Sequence, residues 1–519
     1  MSPPGRGAPL DPVGLQVMAG ALHAACEEMG AVLIRSAHSP NITERHDCST
    51  ALFDPAGELV MQAEHIPVHL GSMPDAVAVI VDENHRDGDL WILNDPYRGG
   101  THLPDITLIS PIMMPTGSAA PRPGPAGARR RDELIGFAAS RAHHADIGGP
   151  TPGGMPATSV TLDEEGVVIP PTRADDATLH ELAGRMRNPD QRLADLRAQR
   201  AANLTGIERL RALARRQGPA ALRTATAEIL DYAERRTRAA LAKMPDGEST
   251  AEDFLEGREG EIGLRLRATV RGDSLELDFE GSSEQIEGNL NCPLSVTKAA
   301  CFYALRVVCD PDGPPSAGAW RPVAVRAPRG SLLNARAPAA VVAGNVETSS
   351  RVADLVFEAL AGFTAVGANG QGTMNNLTLA GQRFTYYETL AGGQGACPDA
   401  DGPSAIHVAM SNTLNTPVEA LEVDFPVRVR ELSVRRGSGG EGRHRGGDGV
   451  VREIEALAPM RYSLIAERRL YAPRGRKGGG AGERGRDTLN GDPIPSKSEG
   501  ELRPGDRLRI ETPGGGGYG

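Results

Sequence analysis

Ile262-Gly263-Leu264-Arg265-Leu266-Arg267-Ala268-Thr269-Val270-Arg271-Gly272-Asp273-Ser274-Leu275-Glu276-Leu277-Asp278-Phe279 decides the fold class. Ile262, Leu264, Leu266, Ala268 and Val270 alternate with glycine and polar residues, Gly272-Asp273 supplies a two-residue turn, and Leu275, Leu277 and Phe279 resume the alternation. Period two around such a turn predicts a β-hairpin with one buried face. The preceding stretch, Asp176 to about Met244, has a different period. Leu196, Leu204, Ile207, Leu210, Leu213, Leu222, Ile229 and Leu241 form apolar stripes among Arg, Glu and Ala, which predicts two or three packed helices. Gly206, Gly218 and Pro219 interrupt a continuous coiled-coil heptad there.

Further out, helices are expected over Thr297 to Val308 and Ser350 to Phe363, and strands over Val427 to Val434, Gly449 to Leu457 and around Leu508 and Ile510. On the N-terminal side, Asp11 as a cap and Pro12 in the first turn open an amphipathic helix running to Ser36. Strand-like runs follow at Thr50–Phe53, Leu59–Gln62, Leu90–Leu93, Ile106–Ile112 and Leu134–Ser140, the first two joined by the turn Asp54-Pro55-Ala56-Gly57. Met114 to Asp132, rich in Pro, Gly, Ala and Arg, reads as a surface insertion in a hairpin. Helices and strands segregate along the chain, so an α+β, multi-domain architecture with mixed sheets is expected. Four regions are expected: 1–175, 176–250, 251–425 and 426–519.

A chain of 519 residues exceeds what one hydrophobic core supports. At 39% hydrophobic and 24% charged it has the composition of a globular protein. Gly 63 and Pro 40 make about a fifth of it, which favours many turns and functional loops. Aromatic residues are 4%, so the core must rest on aliphatic side chains. A net charge of -11 argues against a dedicated nucleic-acid binder, and Arg129–Arg131 and Arg474 to Lys477 lack interleaved aromatics. The six cysteines show no CxxC spacing. With neither a signal-peptide run nor an uninterrupted apolar span of membrane length, no membrane partner and a cytoplasmic location are expected.

Chemistry concentrates in Asn94-Asp95-Pro96-Tyr97-Arg98-Gly99-Gly100-Thr101-His102-Leu103-Pro104-Asp105 and in Ala142-His143-His144-Ala145-Asp146-Ile147-Gly148-Gly149. Carboxylates and imidazoles on turns form an oxygen/nitrogen donor set for a divalent cation: Mn, Zn or Fe rather than Ca. In an extended segment only one of His143 and His144 can point at an ion, because neighbouring side chains face opposite ways. The same Asp and His residues also suit ordinary turns. His38, Arg45, His46 and Asp47, like Glu64, His65 and His69, could line the same cleft or cap loops. Asn345, Glu347, Thr348 and Arg351 open a helix, where Glu347 could serve only as a first-turn charge. Asn375, Asn376 and Glu388 lie beside apolar strands, and His407 to Asn415 is dense in hydrogen-bonding groups. No GxxxxGK[ST] loop, GxSxG elbow or dinucleotide fingerprint occurs, so any ATP is expected on another polypeptide.

Several of these segments resemble the hydantoinase B/oxoprolinase family. The resemblance runs over Ser39-Pro40-Asn41 with Glu44 to Ser49, Gln62 to Gly71, Asn94 to Asp105, Ala142 to Gly149, Gly344 to Ser349, Met410 to Thr413 and Asn415 to Glu419. It implies a subunit of an ATP-dependent cyclic amide hydrolase, opening 5-oxoproline or hydantoin rings in a hetero-oligomer with a hydantoinase A-type ATPase that binds the ATP. By the same resemblance, the metal ligands would be Asp95, His102, Asp105 and one of the His pair, with His143 favoured as the start of His-x-x-Asp. The accompanying catalytic candidates are His144, Asp146 and Glu347. Two other roles are compatible with it: a metal-dependent subunit of the acetone/acetophenone carboxylase type, and a non-catalytic scaffold for the ATPase.

Overall fold

A computed structural model describes residues 11–519 except 65, 116–131, 259 and 383. Helix α1 (Pro12–Ser36) starts where Asp11 accepts a hydrogen bond from the Gly14 N–H. Strands β1 (Cys48–Phe53), β2 (Leu59–Glu64), β3 (Trp91–Leu93), β4 (Asp105–Pro115), β5 (Asp132–His143) and β6 (Thr172–Arg173) form one sheet in the order β2-β1-β5-β4-β3-β6. All its pairings are antiparallel. The expected insertion falls at the β4–β5 connection, and its residues 116–131 lie outside the described residues.

The sheet is covered on both faces. Leu52, Ala138 and Ala142 pack in one core with Met18, Leu22, Cys26, Met29 and Leu33 of α1 and with the helices that follow. Ala51, Phe53, Phe137 and Ala139, one residue out of step, pack in another core with Met73, Val77 and Ile80. Of these, α2 (Asp176–Gly184) packs with Ile92, Ile106 and Leu108 in a third core, whereas α3 (Pro189–Gln217) and α4 (Pro219–Leu241) are the helices that share the α1 core. The chain breaks at Gly218, whereas α3 runs straight through Gly206. A Cβ at Gly206 would lie 2.5 Å from the Met29 sulfur, so the glycine lets α1 and α3 touch. By length and composition α1 is apolar enough to cross a membrane, with a mean hydropathy of 1.4, which the sequence reading did not expect. Its Met18–Leu33 face is core packing.

Strands β7 (Gly247–Glu256), β8 (Glu261–Arg271), β9 (Ser274–Asp278) and β10 (Val323–Arg326) form a second sheet. The β8–β9 pair is the expected hairpin, with Arg271 opposite Ser274 across the Gly272-Asp273 turn. Its inward residues pack on α5 (Leu294–Cys309) and α6 (Ser349–Leu360). A buried π-helical turn, Gly344–Thr348, leads into α6.

Two further sheets follow. Strands β11 (Asn376–Ala380) and β12 (Thr385–Thr389) pair with later segments, whereas β13 (Val427–Arg435) and β14 (Gly449–Ala456) begin a separate sheet. After β15 (Met460–Ile465), β16 (Arg486–Leu489), β17 (Asp492–Pro493), β18 (Lys497–Leu502) and β19 (Arg507–Glu511), the orders are β12-β11-β15-β18 and β13-β14-β19-β16-β17. The α+β class expected from the sequence is the one observed.

The last glycines, Gly514 to Gly517, thread between other glycine-rich segments. Gly515 N donates to Gly447 O, Gly516 N to Asn369 O and Gly517 N to Gly480 O. Added Cβ atoms on these four residues would lie 1.9 to 2.1 Å from the carbonyl oxygens of Ser438, Gln394, Arg474 and Glu441.

Candidate metal centre

Strand register builds the site. Asp105 opens β4, and His143 ends β5 directly opposite it. A cross-strand pair places the two side chains on one face, within reach of each other. His102 sits one turn earlier, where the Asp105 N–H donates to the His102 carbonyl. His102 Nε2 lies 3.1 Å and His143 Nδ1 3.3 Å from Asp105 Oδ1. Ligand atoms of His102, Asp105 and His143 all fall within 4.8 Å of one another, and all three residues are buried.

A fourth group joins them. His69, on the short helix Pro67–Leu70, brings Nε2 to 3.4 Å from Asp105 Oδ2. Its Nδ1 lies 2.9 Å from Ser49 Oγ on β1, which fixes the ring. Thr101 Oγ1 donates to Asp105 Oδ2 at 2.8 Å.

Burial alone would raise the Asp105 carboxyl, but His102, His143 and His69 around it hold it well below its ordinary value. Burial lowers His143, which leaves a neutral ring with a lone pair to donate. Both ring nitrogens of His102, and Nε2 of His69 and of His143, make no well-formed hydrogen bond although they are buried. Buried polar atoms without partners are costly. One carboxylate among three imidazoles with idle nitrogens is the donor set of a transition-metal ion, so these residues fit such a group.

A cavity of about 20 Å³ adjoins them, enough for a water-sized occupant. Asp47, Asn345, Tyr387, Ser411 and Thr413 contribute to its other walls. Tyr387 comes from β12 and stacks on the His143 ring, centroids 4.6 Å apart and planes 16° apart. Arg45, fully buried, donates to Tyr387 O, Thr389 Oγ1 and Thr413 Oγ1.

The remaining sequence candidates lie elsewhere. Asp95 is outside the ligand cluster, half-buried, with Oδ1 accepting from the Tyr97 N–H. His144 points the other way, with Nε2 2.9 Å from Gln199 Oε1 on α3, and burial lowers it to about 4. Asp146 accepts from the Gly148, Gly153 and Arg187 N–H groups and shapes its own loop. Glu347 is buried behind the cavity, and its Oε1 accepts from Met374 N and Asn376 Nδ2. Burial, then the neighbouring Glu467 carboxylate, raises it to about 7. Arg351 pairs with Asp253 and Glu467, and Glu388 with Arg452. The His38 N–H donates to Asp195, while His65 and the Glu64 side chain lie outside the described groups.

Sequence reasoning did not single out Tyr387, Met374 or Thr389. They arrive from β12 and the segment just before β11, hundreds of residues away, and nothing in their local sequence marks them.

The hydantoinase B/oxoprolinase family profile matches residues 11–519. The 5-oxoprolinase of Dictyostelium discoideum is 38% identical over 98% of this chain, which spans 40% of that protein. The crystal structure of an ATP-dependent caprolactamase from Pseudomonas jessenii superposes with a TM-score of 0.87 at 27% identity, covering 98% of this chain and 91% of the other. A nucleotide-free acetone carboxylase shares the fold, with a TM-score of 0.83 at 18% identity over 98% of this chain and 76% of that one. Matched from the first turn of α1 to its last residue, the chain belongs to the hydantoinase B/oxoprolinase family.

Proposed function

We propose that this chain is the metal-bearing subunit of an ATP-dependent cyclic amide hydrolase that opens 5-oxoproline or hydantoin rings. It would work in the cytoplasm beside a hydantoinase A-type ATPase partner that binds the ATP. The observation that carries the proposal is the convergence of His102, Asp105 and His143 within 4.8 Å, in a family that includes 5-oxoprolinases. Absence of a phosphate-binding loop from the sequence is the reason for placing ATP on the partner.

A cyclic amide is a poor electrophile, and a divalent metal, when bound, polarises a carbonyl or generates hydroxide from a bound water. His102, Asp105 and His143 would hold that ion, with His69 as a fourth ligand. The ionised Asp105 supplies compensating charge, and Ser49 keeps His69 in one orientation. Asn345 reaches the cavity wall with a buried Oδ1 that has no partner, a group suited to accepting a hydrogen bond from a water-sized occupant beside the ion. Asp146 and His144 contribute by fixing the loop after β5 rather than by touching substrate.

The test is co-expression with a hydantoinase A-type ATPase, followed by product analysis with ATP and either 5-oxoproline or hydantoins. His102→Ala is expected to abolish ring opening while leaving the melting temperature of the metal-free protein unchanged. Normal turnover in that variant would refute the metal assignment. Ketone carboxylation in place of ring opening would refute the proposed reaction.

A further inference from the structure

We infer that Glu347, Asn376 and Tyr387 form a positioning chain that holds the His143 ring in its ligating orientation; the inference rests on the metal reading above. A ligating histidine is ordinarily oriented by a hydrogen bond from its second ring nitrogen to a carboxylate, carbonyl or water. The one ring contact of this kind at His143 runs from Nδ1 to its fellow ligand Asp105, at a long 3.3 Å, and Nε2 has no partner. Beside that contact, the ring plane rests on the face of Tyr387, stacked 4.6 Å away.

Tyr387 is itself held at three points. Its carbonyl accepts from Arg45 Nη1 at 2.8 Å, and the Arg45 guanidinium lies 4.8 Å from its ring centroid. Its hydroxyl donates to Asn376 Oδ1 at 2.8 Å. The Asn376 amide then donates to Glu347 Oε1 at 2.8 Å and to the Ile465 carbonyl at 2.9 Å. Glu347 Oε1 also accepts the Met374 N–H at 3.0 Å. All three links of the chain are buried.

The Ile465 carbonyl sets the Asn376 amide: a flipped amide would present its oxygen to that carbonyl, which can only accept, and lose the bond. Both amide hydrogens are committed, and a carboxamide has no labile proton to pass along at neutral pH. The chain therefore cannot shuttle a proton between Glu347 and the metal centre. Its work is geometric: it anchors a ring from the β12-β11-β15-β18 sheet against a ligand of the first sheet. Glu347 is a positioning residue, needed as an acceptor at Oε1.

The experiment is Zn²⁺ binding to the full-length chain, measured by competition with a chelating dye, with metal-free melting curves as a check on folding. Tyr387→Phe keeps the ring but removes the donor, and it should weaken Zn²⁺ binding about tenfold, the lower end of the range for outer ligand supports. Glu347→Ala should do the same, whereas Glu347→Gln, which keeps an acceptor at Oε1, should stay within about twofold of wild type. A residue that merely stabilised the fold would shift melting and leave Zn²⁺ affinity unchanged. Wild-type affinity in Tyr387→Phe overturns the chain, as does a Glu347→Gln variant as weak as Glu347→Ala. If the wild-type chain takes up no Zn²⁺, the metal reading falls and takes this inference with it. Uptake by wild type together with an unaffected Tyr387→Phe removes the inference alone.

Discussion

Asp105 concentrates the electrostatics of the candidate centre in one side chain. Three imidazoles and the Thr101 hydroxyl converge on its two oxygens, so it stays ionised despite full burial. Asp105→Asn keeps the shape and removes the charge. That variant should retain the fold but lose stoichiometric metal, as elemental analysis of the purified chain would establish; full metal occupancy would contradict the assignment. The proximity of His102 and Asp105 was readable from a short turn because only Leu103 and Pro104 separate them. Choosing between His143 and His144 required the β4–β5 register, since a shift of one residue exchanges which ring faces Asp105. Tyr387 had no local signal at all: its neighbours at the site include Asp47 just before β1, Asp105 on β4 and His143 on β5, and only the tertiary fold brings β12 to them.

Among elements, the β8–β9 hairpin and α1 were legible because period and turn chemistry agreed, and their cores alternate as the pattern requires. What Gly206 does could not be read locally, because a glycine inside a helix has no visible purpose until the partner helix is known. Its Cβ position is occupied by Met29 of α1, so Gly206→Ala should overpack the α1–α3 contact. The expected cost is about 1–3 kcal/mol, read as a lower midpoint in urea unfolding with an unchanged slope. A midpoint equal to wild type would mean that Met29 moves aside freely.

Across the whole molecule, Glu165 ties the loop that supports the Asn94–Asp105 turn to the segment leading into the Gly344–Thr348 turn. Its Oε1 accepts from the Val341 and Val342 N–H groups and from Ser159 Oγ. Burial raises its carboxyl from the ordinary 4.5 to about 7, against the pull of those donors. The folded chain thus keeps a proton here that the unfolded chain releases. This contribution to stability is full below about 4.5 and is lost as pH rises toward 7. Glu165→Gln, fixed in the neutral form, should flatten the decline of melting temperature between pH 5 and 7, after allowance for Glu347, which shifts the same way; an unchanged slope would remove Glu165 as its source.

The terminal glycine tract has a consequence for how the chain tolerates change. With a methyl group on any of Gly514 to Gly517 placed about 2 Å from a carbonyl oxygen, no smaller side chain exists to relieve the clash, and the backbone must move. A saturation mutagenesis screen should therefore find this tract as intolerant as the imidazoles, although it touches no ligand atom. Immutability at that end of the sequence would report packing space, not chemistry.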